Sequence, residues 1–209
     1  MSGHLPLFID LSDRKIVIFG GGSVGERKAT LFSKYAKVVV VSRGFTEKLK
    51  KLRDRIKLVQ VEEIGEEIVQ SHVTGAFLVI PATSSSRLNK MIAQIAVSNR
   101  ALVNRVDEVS EVIVPSIIDR DRIAVAISTG ASSPALTRYM REKLEEVITP
   151  EFAEMARLQE ELRKILRRDV KSQMERRKIL WEILNDDTIW KALKESREEA
   201  WRLAKAHIK

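Results

Sequence analysis

The chain has 209 residues, 44% hydrophobic and 32% charged, with a formal net charge of +8. This is enough for one large domain, or a medium domain with an appendage, and no apolar stretch reaches membrane-spanning length. There is no cysteine, and only His4, His72 and His207 offer imidazole, which excludes disulfides, thiolate nucleophiles and cysteine-held iron–sulfur clusters. No dedicated metal site is expected, so redox chemistry here would need a bound organic cofactor. Met1–Pro6 has neither the basic start nor the apolar core of a secretory signal, and a cytoplasmic protein is expected.

The first predicted strand, Ile16–Phe19, runs into Gly20-Gly21-Gly22-Ser23-Val24-Gly25 and then a helix. That is the Gly-x-Gly-x-x-Gly dinucleotide fingerprint. Gly20 serves the tight turn, Gly22 lets a pyrophosphate approach the backbone, and Gly25 lets the helix pack on the sheet with its first N–H groups facing the phosphates. Taken alone, the glycines read equally well as an ordinary strand-to-helix connection. The later apolar runs at Lys37–Val41, Lys57–Val61, Ala76–Ile80 and Ala101–Val103 recur at βαβ spacing and favour the nucleotide reading. The expected fold is α/β, a Rossmann-type doubly wound parallel sheet.

From Pro115 the pattern changes. A strand and tight turn through Arg122 lead into the strand Ile123–Ser128, the loop Thr129-Gly130-Ala131 and a helix announced by Ser133-Pro134. An exposed strand edge with a helix beside it suggests a dimer-forming element. Thr149-Pro150-Glu151 then opens a charged helical tail with apolar spacing at Met155, Leu158, Leu162 and Ile165, and again at Ile179, Leu180, Ile183 and Leu184. A break at Asn185–Thr188 starts a helix carrying Trp190, Leu193 and Trp201. The expected domains are residues 1–113, a dimerisation region 114–148 and a helical module 149–209. The tail's basic run from Lys164 to Lys178 admits a nucleic-acid reading, but interleaved Glu160, Glu161, Asp169 and Glu175 favour a solvated, salt-bridged face.

Five linked motifs carry a resemblance. They are Leu5-Pro6-Leu7-Phe8, the glycine turn through Ala29, Pro81-Ala82-Thr83 with Leu88-Asn89, Asn104-Arg105-Val106-Asp107, and Pro115–Arg120 followed by Ala126–Leu136 and Arg141–Leu144. In these the chain resembles the precorrin-2 dehydrogenase family, which includes the N-terminal module of siroheme synthase. The resemblance implies oxidation of precorrin-2 to sirohydrochlorin with NAD as hydride acceptor, a homodimer, and in some members insertion of ferrous iron. It makes Asp107 the general base; without it, Asp107 reads better as a turn cap near Ser110. It assigns Gly20, Gly22, Ser23, Val24 and Gly25 to the pyrophosphate turn, Ser42, Arg43 and Gly44 to the ribose side, and Thr83 to the cofactor. Asn104, Ser128 and Thr129 are its substrate-side residues, and the positive charge adds Arg138 and Arg141, one helical turn apart, for the substrate's carboxylates. Arg138 and Arg141 read equally well as exposed helix charges.

The chain departs from the family pattern at Ser84-Ser85, Gly130-Ala131 and Val112-Ile113. Where many NAD folds place an acid after the second strand, this chain has Ser42-Arg43, which leaves NADP open beside NAD. The positive charge suits a polycarboxylate tetrapyrrole. Neither a nucleic-acid partner nor a membrane is expected. A non-catalytic NAD-sensing Rossmann module is the main alternative.

Overall fold

The computed structural model describes residues 4–105 and 110–208. It divides into two compact units, residues 1–114 and 115–209.

The first unit contains β1 (Lys15–Phe19), α1 (Ser23–Phe32), β2 (Lys37–Ser42), α2 (Glu47–Lys51), β3 (Ile56–Gln60), α3 (Glu66–Val73), β4 (Leu78–Pro81), α4 (Ser86–Ser98) and β5 (Leu102–Val103). Its sheet has five strands in the order β3-β2-β1-β4-β5, all parallel. Continuous apolar runs are what this arrangement requires, because helices cover both faces. In β1, Val17 and Phe19 pack with α3 and α4, whereas Ile16 and Ile18 pack toward α1 and α2 through Ala29, Phe32 and Leu49. Each such side chain, fully buried, contributes about 1.5–3 kcal/mol. The register sets Phe19 opposite both Val41 and Pro81, so β1, β2 and β4 end together. Strand order reverses between β1 and β4, and the carboxyl ends of the strands at such a switch point form the usual ligand crevice.

One strand boundary moved by two residues from expectation. The fourth strand starts at Leu78 rather than Ala76, because Gly75 takes φ +72° and the Ala76 N–H donates to the Val73 carbonyl, closing α3. Ser85, one of the departures from the family pattern, caps α4 by accepting from the Leu88 N–H.

The second unit opens with β6 (Ser116–Arg120) and β7 (Ile123–Ile127), antiparallel, with Arg120 opposite Ile123. The intervening two-residue turn holds Asp121 at φ +54°, the positive value that primed hairpin turns need. The helices α5 (Pro134–Val147), α6 (Glu151–Asp169), α7 (Gln173–Leu184), α8 (Asp187–Glu195) and α9 (Arg197–Lys205) follow. Leu158, Leu162 and Leu166 of α6 pack with Ile179, Ile183, Ile189, Ala200 and Ala204. Leu166 takes the deep position expected of Ile165, which is half-buried.

The tail's last predicted helix is two. Ser196 ends α8 in extended conformation and its hydroxyl accepts from the Glu199 N–H to start α9. The Ser-x-x-Glu signature at 196–199 was readable as a cap. The regions 114–148 and 149–209, set apart in the sequence, fall from Pro115 on in one unit. Asp121 and Arg122 of the hairpin turn reach Arg157 and Glu160 of α6 at 2.9 and 2.6 Å. Among the described residues no helix is long and apolar enough to cross a membrane.

Candidate cofactor cleft

The crevice at the carboxyl ends of β1, β2 and β4 holds a cavity of about 1080 Å³, lined among others by Gly20, Gly22, Ser42, Arg43, Glu63 and Thr83. Three loops build it. In the first, Gly20 has φ +122°, and a Cβ there would meet the Ala82 carbonyl oxygen at 2.3 Å. Gly25 sits under the turn, where a Cβ would fall 1.9 Å from the Gly20 oxygen. Gly22 is different: a Cβ built on it meets nothing within 4 Å, so its bare backbone faces open space.

Gly22 is also the N-cap of α1 and supplies no side chain to the helix, whose first internal bond runs from the Glu26 N–H to the Gly22 carbonyl at 2.9 Å. The N–H groups of Ser23, Val24 and Gly25 stand outside the helical ladder at the positive end of the helix dipole. Free donors, a bare glycine and that dipole suit a pyrophosphate, so the residues present fit a dinucleotide.

The second loop follows β2. Ser42 is only 9% exposed, and its Oγ accepts from the Gly21 N–H at 2.9 Å and the Gly44 N–H at 3.4 Å. Ser42 thus ties the loop after β2 to the glycine turn. Arg43 is exposed on the cavity wall, and its carbonyl accepts from Gln60 Nε2 at 3.2 Å. Arg87 and Lys90 line the same cavity, with Glu63 opposing their charge; the wall is net positive.

The third loop was the least legible. Thr83 lines the cavity, and its conformation is set by Asn89 of α4. Asn89 Oδ1 accepts from the Thr83 N–H at 3.0 Å and from its hydroxyl at 2.7 Å, while Nδ2 donates to the Thr83 carbonyl at 3.1 Å. At 4% exposure, Asn89 is a polar residue in the buried stripe Asn89, Ile92, Ala93, Ala96. A polar residue in such a stripe was a signal that it serves a backbone rather than the core.

Residues 7–116 match the family model described as "Putative NAD(P)-binding". Over 99% of its length the chain is 46% identical to the precorrin-2 dehydrogenase of Methanosarcina barkeri, covering 94% of that protein. The chain belongs to the precorrin-2 dehydrogenase family. It is also 35% identical, over 98% of its length, to the siroheme synthase of Actinobacillus pleuropneumoniae, of which it spans 42%. Among solved structures, "SirC, precorrin-2 dehydrogenase" superposes with a TM-score of 0.75, covering 97% of this chain and 100% of that one, at 23% identity; this is a likeness of fold.

The other residues expected in a precorrin-2 dehydrogenase site are placed as follows. Asp107 lies outside the described residues. Asn104, expected as a substrate contact, is 5% exposed with its amide turned inward: Oδ1 accepts from Lys28 Nζ at 2.8 Å and Nδ2 donates to the Val112 carbonyl at 2.7 Å. Ser128 and Thr129 share one turn in the second unit. Ser128 Oγ accepts from the Gly130 N–H at 3.0 Å, and Thr129 Oγ1 lies 3.0 Å from Thr137 Oγ1 and accepts from the Ser133 N–H at 3.1 Å. Arg138 and Arg141 pair along α5 with Glu142 and Glu145, each at 2.8 Å, which satisfies both without a substrate. In the basic tail, Lys164, Arg168 and Lys178 likewise stand beside Glu160, Asp169 and Glu182.

Proposed function

We infer that the chain oxidises precorrin-2 to sirohydrochlorin in siroheme and related tetrapyrrole synthesis. The observation that carries this is whole-length similarity to a precorrin-2 dehydrogenase in a chain whose glycine turn, helix N-terminus and open Gly22 form a cradle for a dinucleotide. Bound NAD supplies the hydride acceptor. The α1 N–H groups and Gly22 would hold its pyrophosphate, Ser42 braces the loop after β2 against the glycine turn, and the Asn89-locked Thr83 turn shapes the cavity wall. Arg43, which follows β2 on the cavity wall, would accept a 2′-phosphate, so NADP would use the same cleft.

Dehydrogenation removes a hydride and a proton. The proton is assigned to Asp107, four residues after Val103 in the sequence. Ser128 and Thr129 are assigned to the polycarboxylate substrate with the loop before α5, and Arg138 and Arg141 by charge, with exchange of their carboxylate partners on binding.

A homodimer completes this reading. Helix α5 buries none of its residues yet exposes Leu136, Tyr139, Met140 and Val147, spaced along one face, beside a sheet of only two strands. Such a stripe and such open edges call for a second copy. Light scattering on the wild type and on Tyr139→Arg tests it: a dimer converted to monomer supports the interface, and a wild-type monomer overturns it.

The central test is an anaerobic assay with freshly generated precorrin-2, run with NAD⁺ and with NADP⁺, followed by the sirohydrochlorin spectrum. Wild-type turnover that disappears in Asp107→Ala is the expected result. No turnover from folded, NAD-binding protein would favour the sensing module, and an active Asp107→Ala would move the base elsewhere. Ferrous iron added after the reaction reads metal insertion in the same sample.

A further inference from the structure

Helices α6 and α7, joined by residues 170–172, border a cavity of about 450 Å³ that lies wholly within the second unit. Its floor is apolar: Leu166 is fully buried, and Leu180 and Leu184 are half-buried. Trp181 lines it as well and is 55% exposed. Hydrogen bonds between the two walls fix their spacing. Arg176 Nη1 donates to the Val170 and Lys171 carbonyls at 2.7 and 2.9 Å, and Gln159 Nε2 donates to the Leu180 carbonyl at 3.1 Å.

The charge around this cavity has one sign. Arg163 and Arg167 come from α6, Arg176 and Arg177 from α7, and none of the described residues that line the cavity is acidic. The basic run divides along the same boundary. Lys164, Arg168 and Lys178 stand beside carboxylates, whereas Arg163, Arg167 and Arg177 form no ion pair among the described residues. Arg163 and Arg167 are also one helical turn apart, a spacing at which like charges weaken a helix. Unpaired guanidinium groups beside an exposed indole are the composition of a binding surface rather than of a solvated face. Guanidinium forks match carboxylates, and the indole and leucines match a flat apolar body.

We propose that the groove between α6 and α7 is a binding site for a polycarboxylate tetrapyrrole, whose carboxylates pair with Arg163, Arg167 and Arg177 and whose ring lies against Trp181 and the leucine floor. This rests on the reading of the substrate as such a molecule. The cavity has the size of a small-molecule site, roughly 300–1,000 Å³. A ligand that is apolar at its centre and anionic at its edge uses both halves of the lining. A nucleic-acid backbone would engage the arginines and leave the leucine floor empty, and a small anion would leave the indole empty too.

The probe is uroporphyrin, a polycarboxylate porphyrin already fully conjugated, so that no hydride transfer accompanies binding to the full-length protein. Calorimetry reads its affinity, and hydrogen exchange of peptides covering residues 159–184 reads its location. Arg163→Gln with Arg167→Gln should weaken binding at least about tenfold, and Trp181→Ala about three- to tenfold. Lys164→Gln with Lys178→Gln removes the same net charge from carboxylate-paired side chains of the same helices and should stay within about twofold. Uroporphyrin should slow exchange in residues 159–184 of wild type, and the arginine pair of substitutions should abolish that slowing. Equal weakening by the arginine and lysine pairs overturns the proposal, because attraction to net charge would then suffice. Binding without slower exchange in residues 159–184 overturns it as well, as does a single-stranded oligonucleotide that binds the groove more tightly than uroporphyrin. Arginine-specific loss in a protein that fails to oxidise precorrin-2 supports the site and sinks the dehydrogenase reading; oxidation of precorrin-2 without that loss does the reverse. These arginines are exposed, and should the paired substitution not fold, Arg177→Gln with Trp181→Ala decides by the same readouts.

Discussion

Gly25 and Gly22 lie three residues apart in one motif, and the structure gives them opposite roles that substitution by alanine separates. In Gly25→Ala the new Cβ would stand 1.9 Å from the Gly20 carbonyl oxygen and 3.0 Å from its carbon. Restoring an ordinary contact of 3.4 Å requires about 1.5 Å of movement, and the obstacle is backbone, so no rotamer can relieve it. Overpacking of this kind costs about 1–3 kcal/mol or more, against a helix-propensity gain of about 1 kcal/mol. A net loss of roughly 2 kcal/mol is expected by urea unfolding, with NAD affinity lost as the turn moves. In Gly22→Ala nothing lies within 4 Å of the Cβ and φ is −82°, so stability should change by less than about 1 kcal/mol. The methyl occupies the approach to the α1 N–H groups, and NAD binding by calorimetry should weaken at least tenfold, about 1.4 kcal/mol. A Gly25→Ala protein as stable as wild type, or a Gly22→Ala protein with unaltered NAD affinity, would refute this division of roles.

Three further outcomes are expected. Asn89→Ala strands the Thr83 N–H and carbonyl and should cost about 2–3 kcal/mol, seen as a fall in Tm of about 5–10 °C with weaker NAD binding; a Tm within about 2 °C of wild type would exclude Asn89 as the lock. Arg43→Ala should reduce NADP affinity at least about tenfold while leaving NAD within about threefold, and an equal effect on both would remove Arg43 from 2′-phosphate recognition. Lys28 goes from an unfolded pKa of 10.5 to about 8 in the folded chain. Its charge therefore opposes folding in full below pH 8, and that cost is relieved as pH rises from 8 toward 10.5, where the unfolded chain binds the extra proton. With solvent screening, wild type should gain roughly 1–2 kcal/mol on Lys28→Met between pH 7 and the top of that window by urea unfolding; a difference independent of pH would contradict the burial of the ammonium.

The parallel sheet was legible because β1, β2 and β4 are buried on both faces, and unbroken apolar runs such as Ile16–Phe19 and Val38–Val41 have few other uses. The glycine turn was legible because the constraints on Gly20 and Gly25 are local, set by a turn and a helix packed on it. Ser42 was legible as a position and not as a role: its strand-end location follows from the pattern, but its bonds to Gly21 and Gly44 join loops about twenty residues apart and exist only once β1 and β2 are paired. The same holds for Asn104, whose amide turns inward because Lys28, on α1 far back in the chain, approaches it while Val112 takes its other side; Asn89 locks Thr83 only once α4 packs on the sheet.

Local patterning by itself therefore determined the sheet, the dinucleotide turn and the amphipathic tail, since periodicity and glycine placement act within a few residues. The whole-chain motifs determined the family. Tertiary structure alone decided which polar residues serve the backbone and which face the cleft, and it joined the hairpin to α6 through Asp121 and Arg122. The physical reason is that a buried amide or ammonium must find its partner, and the identity of that partner depends on which strands and helices become neighbours when the sheet closes.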